Sequence, residues 1–189
     1  MKKILPLPPL LLLFAAATLV HLSCAKEVNN DCPPDLPCAT MTGENTFGCY
    51  INDKPWVANI ADNWSILRPI DALYDEPGHG LYDNYYWRIY AQKVDDSTDN
   101  SIGLIFKPIH EKGVVLINGL LSHDVWYRSL ATPVYCKLDT LLPYYFEITR
   151  LDTAKNICAG KFDFFAVSPN KNDTLHFSQG RFDAIYQVE

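Results

Sequence analysis

The chain lacks the short motifs that are typical of catalytic sites. It contains no GxSxG nucleophile elbow, no HExxH pair and no phosphate-binding glycine loop. Ser122, His123 and Asp124 have the letters of a hydrolase triad, but neighbouring residues on an extended chain point to opposite sides. Carboxylates are plentiful, so a glycosidase pair stays open as the less favoured alternative. We therefore expect a protein that is not an enzyme.

Positive charge and histidine are also scarce. The chain has 16 Lys and Arg against 22 Asp and Glu, and only five His. An acidic domain repels phosphate backbones, which disfavours nucleic acid as a partner. The histidines and cysteines show no paired spacing for zinc. The acidic run 95–100 lacks the alternation and the glycine of a calcium loop. We expect no metal and no cofactor.

What the chain does have is an apolar leader that ends at a cysteine. Met1-Lys2-Lys3 precedes an apolar run over 4–20, and Ser23-Cys24 follows. This charged start, apolar middle and small residue before a cysteine predict a lipoprotein signal peptide over 1–23. A retained membrane helix is the poorer interpretation, because the run is short and three prolines interrupt it. Lipidation is expected at Cys24, which would hold the protein to a membrane.

A polar, proline-rich stretch over 24–41 predicts an extended tether. Beyond Cys24 the number of cysteines is odd, so they cannot all pair within one chain. Cys32 and Cys38 are the favoured disulfide, since they lie close together in an exported protein. Cys49, Cys136 and Cys158 stand in apolar strand-like contexts, where cysteine packs as a small hydrophobic residue.

Residues 42–189 read as one all-β domain. Short runs rich in Val, Ile, Phe, Tyr and Trp alternate with turn residues, which predicts a single antiparallel sandwich or barrel-like domain of about 9 to 10 strands. The predicted strands are 46–51, 55–60, 85–92, 101–107, 113–118, 134–138, 145–150, 157–167, 174–178 and 181–187. The stretch 63–84 is not strand-like. It is either a long functional loop or a connection that contains one short helix over Ile70–Tyr74, and the helix is favoured.

Alternation along the last strands predicts one apolar face and one wet face. Phe162 and Phe164 point one way, and Phe182, Ala184 and Tyr186 repeat the pattern. The polar residues between them are predicted to be available for charge pairing across neighbouring strands. They are Lys161, Asp163, Arg181 and Asp183.

Aromatic residues concentrate between positions 64 and 87. Trp64, Tyr74 and Tyr82 are the candidate binding platform, because exposed rings stack on sugars or contact a protein partner. The alternative is that these rings belong to the core of a small β domain. A carbohydrate- or protein-binding module and a purely structural envelope component are therefore the two leading functional classes.

Two motifs carry a resemblance to a known family. The opening Thr42-Gly43-Glu44-Asn45-Thr46-Phe47-Gly48-Cys49 and the closing Gly180-Arg181-Phe182-Asp183 resemble the "TGxNTFGC" and "GRFD" patterns of an uncharacterised family of Bacteroidetes outer-membrane lipoproteins. The match extends over about 42–186. It implies an all-β exported domain of unknown function with no catalytic residues to carry over. The resemblance and the charged Lys26-Glu27 favour the cell surface, with the periplasmic face as the alternative.

Overall fold

In the computed structural model, thirteen β-strands among the described residues make up one sheet. The structure describes residues 32–60, 68–75, 86–94, 99–107, 112–114, 120–129, 134–169 and 172–188, all within the compact unit Asp31–Glu189. No helix occurs among these residues, so the predicted all-β fold is confirmed. The strands are β1 Thr46–Ile51, β2 Lys54–Val57, β3 Asn59–Ile60, β4 Ile70–Asp75, β5 Tyr86–Val94, β6 Asp99–Phe106, β7 Gly113–Val114, β8 Leu120–Ser129, β9 Val134–Leu138, β10 Tyr145–Asp152, β11 Ile157–Val167, β12 Thr174–Ile185 and β13 Gln187–Val188.

The sheet is strongly curled. Its strand order is β13-β4-β5-β6-β8-β9-β11-β12-β1-β2, almost entirely antiparallel. Only Tyr186 separates β12 from β13, yet β13 pairs in parallel with β4 at the other end of this order. The sheet must therefore bend back toward its own beginning, which gives a barrel-like body with a concave interior.

The interior is filled largely by aromatic rings. Phe47, Phe146, Phe162, Phe164 and Phe177 are all less than 2% exposed. Phe146 stacks on Phe164 with ring centroids 5.4 Å apart, and Phe164 stacks on Phe177 at 4.6 Å. The predicted alternation along β11 is correct, because its phenylalanines at 162 and 164 are buried while 161 and 163 are partly exposed. Offset stacking of this kind stabilises a core beyond the area that it buries.

The predicted helix over Ile70–Tyr74 is wrong. These residues lie in β4, which pairs antiparallel with β5 from Ile70 opposite Ala91 to Asp75 opposite Tyr86. A helix of five residues is unstable by itself, whereas the neighbouring strand supplies a full set of backbone partners. Burial along β4 begins with the alternation of a strand, since Ile70 and Ala72 are buried and Asp71 between them is exposed.

The final two predicted strands are one. β12 runs without a break from Thr174 to Ile185 and bends at Gln179, which has a positive φ of 50°. The register to β11 shifts between Phe162 and Phe164, as expected for a β-bulge. The residue after the bend is Gly180. Only glycine fits there, because the Phe162 ring lies against it and a Cβ would be 2.1 Å from a ring carbon. The strand β8 was not predicted at all.

The polar face of β12 is buried, contrary to the predicted wet face. Asp183 is 1% exposed and Arg181 is 5% exposed. Lys161 lies opposite Arg181, and Asp183 lies opposite Ala159, so these register partners are not opposite charges. The reason is that the segment before β1 covers this part of the outer face.

Asp183 holds that segment in place. Its carboxylate accepts hydrogen bonds from the Thr40 hydroxyl at 2.8 Å and from the backbone N–H groups of Thr42, Gly43 and Glu44 at 2.9, 2.8 and 3.2 Å. A buried carboxylate is tolerated only when its oxygens are satisfied in this way. We call this arrangement the Asp183 clamp.

Part of the stretch expected to be a tether therefore lies on the domain. Leu36 is buried, and Pro37 lies over Gly48 so closely that a Cβ at Gly48 would be 2.6 Å from its ring. After the clamp the chain reverses through Gly43 and Asn45, whose φ angles are 83° and 54°. The Asn45 side chain accepts a hydrogen bond from the N–H of Ile185 at 2.9 Å, which ties the reversal to the end of β12.

Replacing Asp183 by Ala should lower the free energy of unfolding by about 3 kcal/mol or more, because several buried or partly buried donors lose their acceptor at once. Asp163→Ala is the matched control on the neighbouring strand. Asp163 is partly exposed and pairs with His176 at 2.9 Å, so its loss should cost less than about 1 kcal/mol. Urea unfolding of the two variants measures the difference. Equal stabilities would show that the Asp183 clamp is not a major stabilising contact.

Candidate functional site

The predicted aromatic platform is only partly within the described residues. Tyr74 lies on β4, is half-buried and packs against the core, with its ring centroid 4.8 Å from that of Trp87. Trp64, Tyr82 and the predicted lipidation site Cys24 lie outside the described residues. Tyr86 and Trp87 are both buried, although strict alternation would have buried only one of them. Tyr74 and its two neighbours on β5 thus contribute chiefly to the wall of the domain.

The cysteines divide into a surface pair and buried thiols. Cys32 and Cys38 are joined by a disulfide in the segment that leads to the Asp183 clamp. Cys49, Cys136 and Cys158 are buried thiols. Burial raises the pKa of all three, and that of Cys158 reaches about 12. Since the thiolate is the reactive form and all three side chains are buried, these cysteines pack as small apolar side chains.

A cleft of about 290 Å³ opens where the start of β4 meets the end of β12. It is lined by Asn45, Arg68, Pro69, Ile70, Asp71, Ala72, Ile185 and Gln187. We call it the β4–β12 cleft. The Asp183 clamp shapes one side of it, because the reversal after the clamp places Asn45 beside Ile185. Pairing of β13 with β4 brings Gln187 opposite Leu73 and so holds the other side.

The lining of the β4–β12 cleft combines apolar and polar side chains. Ile185 is 50% exposed and contributes an apolar surface to the cleft. Arg68 and Asp71 are exposed beside it and offer one cation and one carboxylate. Among the described lining residues there is no hydroxyl, thiol or imidazole group. The polar groups of the described lining are two amides, one guanidinium and one carboxylate.

A second polar group lies on the outer face of β11 and β12. His176 Nε2 is 2.9 Å from Asp163 Oδ1, and the imidazole stacks on the Phe165 ring with centroids 4.2 Å apart. The backbone of His176 also exchanges hydrogen bonds with Asn52 in the turn between β1 and β2. These contacts hold His176 between the turn that connects β1 to β2 and the neighbouring strand β11. The sequence did not point to this pair, because its members are distant along the chain and carry no motif.

No cluster of three or more His, Cys, Asp or Glu side chains that could hold a metal ion occurs among the described residues. Within the same part of the chain, no helix is long and apolar enough to cross a membrane. No family model, no curated protein and no solved structure matches the chain.

The buried thiols give a direct test of the packing around them. We expect Cys49, Cys136 and Cys158 to resist alkylation by iodoacetamide at pH 8 in the native protein, because all three are buried and burial raises the pKa of each thiol. With a pKa of about 12, the Cys158 thiol is ionised in only about one molecule in ten thousand at this pH. All three should react once the protein is unfolded in guanidinium, while Cys32 and Cys38 should react only after reduction. Mass spectrometry reads the labels. Rapid labelling of any of the three in the native state would contradict the described core.

Proposed function

We propose that the protein is an exported lipoprotein whose leader is removed before Cys24 and whose β domain is held at the outer membrane by the lipid on that residue. The observation that carries the proposal is the disulfide between Cys32 and Cys38, shortly after the predicted cleavage point. Disulfides persist in oxidising compartments and are rare in the cytosol. The leader over 1–23 and the resemblance to Bacteroidetes outer-membrane lipoproteins support the same location, with the cell surface favoured.

The domain itself is proposed to bind a ligand without transforming it. The β4–β12 cleft offers hydrogen-bonding groups from Asn45, Arg68 and Gln187 around the exposed Ile185. Sugars present hydroxyl groups beside apolar ring faces, so a carbohydrate matches this combination, and a protein segment with an acidic side chain would also use Arg68. Trp64 of the predicted aromatic platform lies only a few residues before Arg68 in the sequence.

Two alternatives remain for the task of the domain. A purely structural envelope component would need no ligand and would use the curled sheet as a rigid spacer. A glycan-active hydrolase is less favoured, since the described lining of the cleft has a single carboxylate, Asp71, where a glycosidase uses two.

The location is tested by mass spectrometry of the protein purified from membranes of its own host or of a related bacterium. The expected N-terminus is Cys24 carrying a thioether-linked diacylglycerol. Cys24→Ser should lose this modification and retain the leader. An intact leader with an unmodified Cys24 thiol in the wild-type protein would overturn the proposal.

The ligand is tested by screening the mature chain against a glycan array and a set of host surface proteins. Arg68→Ala should weaken the affinity for a ligand found in this way by about tenfold or more, since a hydrogen bond to a charged group is worth about 1.5–3 kcal/mol. Arg150→Ala is the matched control, because Arg150 pairs with Asp152 at 2.7 Å near the end of β10 and does not line the cleft. Absence of binding in both screens would favour the structural alternative. Equal losses of affinity in the two variants would show that the ligand binds outside the cleft.

A further inference from the structure

Two aromatic rings lie side by side on the outer face of the sheet. Tyr90 on β5 is half-buried, whereas its neighbours Ile89 and Ala91 are 0% exposed and belong to the core. Because side chains alternate along a strand, Tyr90 projects away from the core. Trp126 on β8 is also half-buried, and its ring centroid is 5.5 Å from that of Tyr90. We call Tyr90 and Trp126 the outer aromatic pair.

The indole of Trp126 reaches across β6 to meet Tyr90. Gly103 on β6 lies between them in the register, opposite Tyr90 on one side and opposite Trp126 on the other. A Cβ at residue 103 would be 2.3 Å from both Cε2 and Nε1 of the indole, so only glycine lets the ring lie this close to the strand. The outer aromatic pair therefore forms one continuous surface of rings over three neighbouring strands.

Polar side chains continue this surface on both sides of the outer aromatic pair. Asp71 on β4 lies opposite Tyr90, Lys137 on β9 lies opposite Trp126, and both are exposed. The next row on the same face contains Gln92, Ser101 and Arg128. A sugar packs the C–H groups of one ring face on an aromatic side chain and directs its hydroxyl groups to polar side chains at the edge. The arrangement of rings and polar groups matches a carbohydrate in both respects.

The outer aromatic pair adjoins the β4–β12 cleft. Asp71 is common to both, because it lines the cleft and lies opposite Tyr90. Trp126 is three strands away from Asp71, which is about 14 Å at about 4.8 Å per strand. A ligand that contacts the cleft and both rings must therefore be a chain of several sugar units that crosses the strands.

We propose that the outer aromatic pair binds an oligosaccharide that extends from the β4–β12 cleft across β5, β6 and β8. This inference rests on the proposed role of the domain as a ligand-binding module, and it selects carbohydrate as the ligand. The centre of a protein interface is depleted of charged residues. Here the five positions of the row from Asp71 to Lys137 hold no aliphatic side chain and end in two charges, which suits a hydroxyl-rich chain better than a protein segment.

The test uses the mature chain and a glycan array of gluco-, xylo-, manno-, galacto- and chito-oligosaccharides of increasing length. Affinities for those that bind are measured by isothermal titration calorimetry, and they should rise with length. Trp126→Ala should weaken binding of the longest oligosaccharide by about tenfold or more and abolish the gain with length, because a stacked ring is lost. Tyr145→Ala is the matched control, a ring that is 41% exposed on β10, and should change the affinity by less than about twofold.

A second variant separates binding from folding. Gly103→Ala retains both rings but displaces the indole, since a Cβ there would overlap it. It should weaken binding of the longest oligosaccharide, and the double variant should bind no more weakly than Trp126→Ala alone, because both changes remove the same contact. Urea unfolding measures the stability of each variant. Changed stability with unchanged affinity in both single variants would show that the indole only covers Gly103, and would overturn the inference.

Arg68→Ala distinguishes this inference from the proposed role of the cleft. Weaker oligosaccharide binding in Arg68→Ala together with unchanged binding in Trp126→Ala would overturn the inference and leave the cleft as the binding site. Binding of a host surface protein without binding of any oligosaccharide would overturn the choice of carbohydrate. Absence of both would overturn the inference and the ligand-binding role together.

Discussion

The structure depends on one buried carboxylate. Asp183 lies near the end of the longest strand, and it gathers the hydroxyl of Thr40 and the N–H groups of Thr42, Gly43 and Glu44. These four hydrogen bonds offset the free-energy cost of burying the carboxylate. Without the carboxylate, the four donors would lose their acceptor. The chain that enters the domain and the strand that almost completes it are therefore fastened to one another.

This contact gives a physical meaning to the two motifs that were recognised in the sequence. The opening stretch from Thr42 and the closing stretch to Asp183 are far apart along the chain but form one unit in the fold. Gly43 and Asn45 are needed because the chain reverses there with left-handed backbone angles. Gly48 leaves room for Pro37, and Gly180 leaves room for Phe162. The motifs thus record close contacts and turns and need no catalytic explanation.

Much of the strand pattern was accessible from the sequence, because period-two alternation and turn residues act locally. β1, β9 and β11 were predicted with their observed bounds. β4 was missed because its hydrogen bonds come from β5, a partner that local pattern cannot supply, and the bend at Gln179 looked like a break in β12. The burial of Asp183 and the β4–β12 cleft were out of reach for the same reason, since both arise from segments brought together by tertiary pairing. The alternation of the sequence predicts that Asp183 faces solvent, because nothing local indicates that residues 40–44 cover it.

The Asp183 clamp also shapes the β4–β12 cleft on which the proposed function depends. If the segment from Leu36 to Asn45 were loose, Asn45 would not be held beside Ile185 at the cleft. The most direct measurement is amide hydrogen exchange of Thr42, Gly43 and Glu44 in the native protein, since exchange reports the opening of individual hydrogen bonds. The account predicts protection comparable to that of the central amides of β12. Exchange at the rate of an unstructured peptide would contradict it.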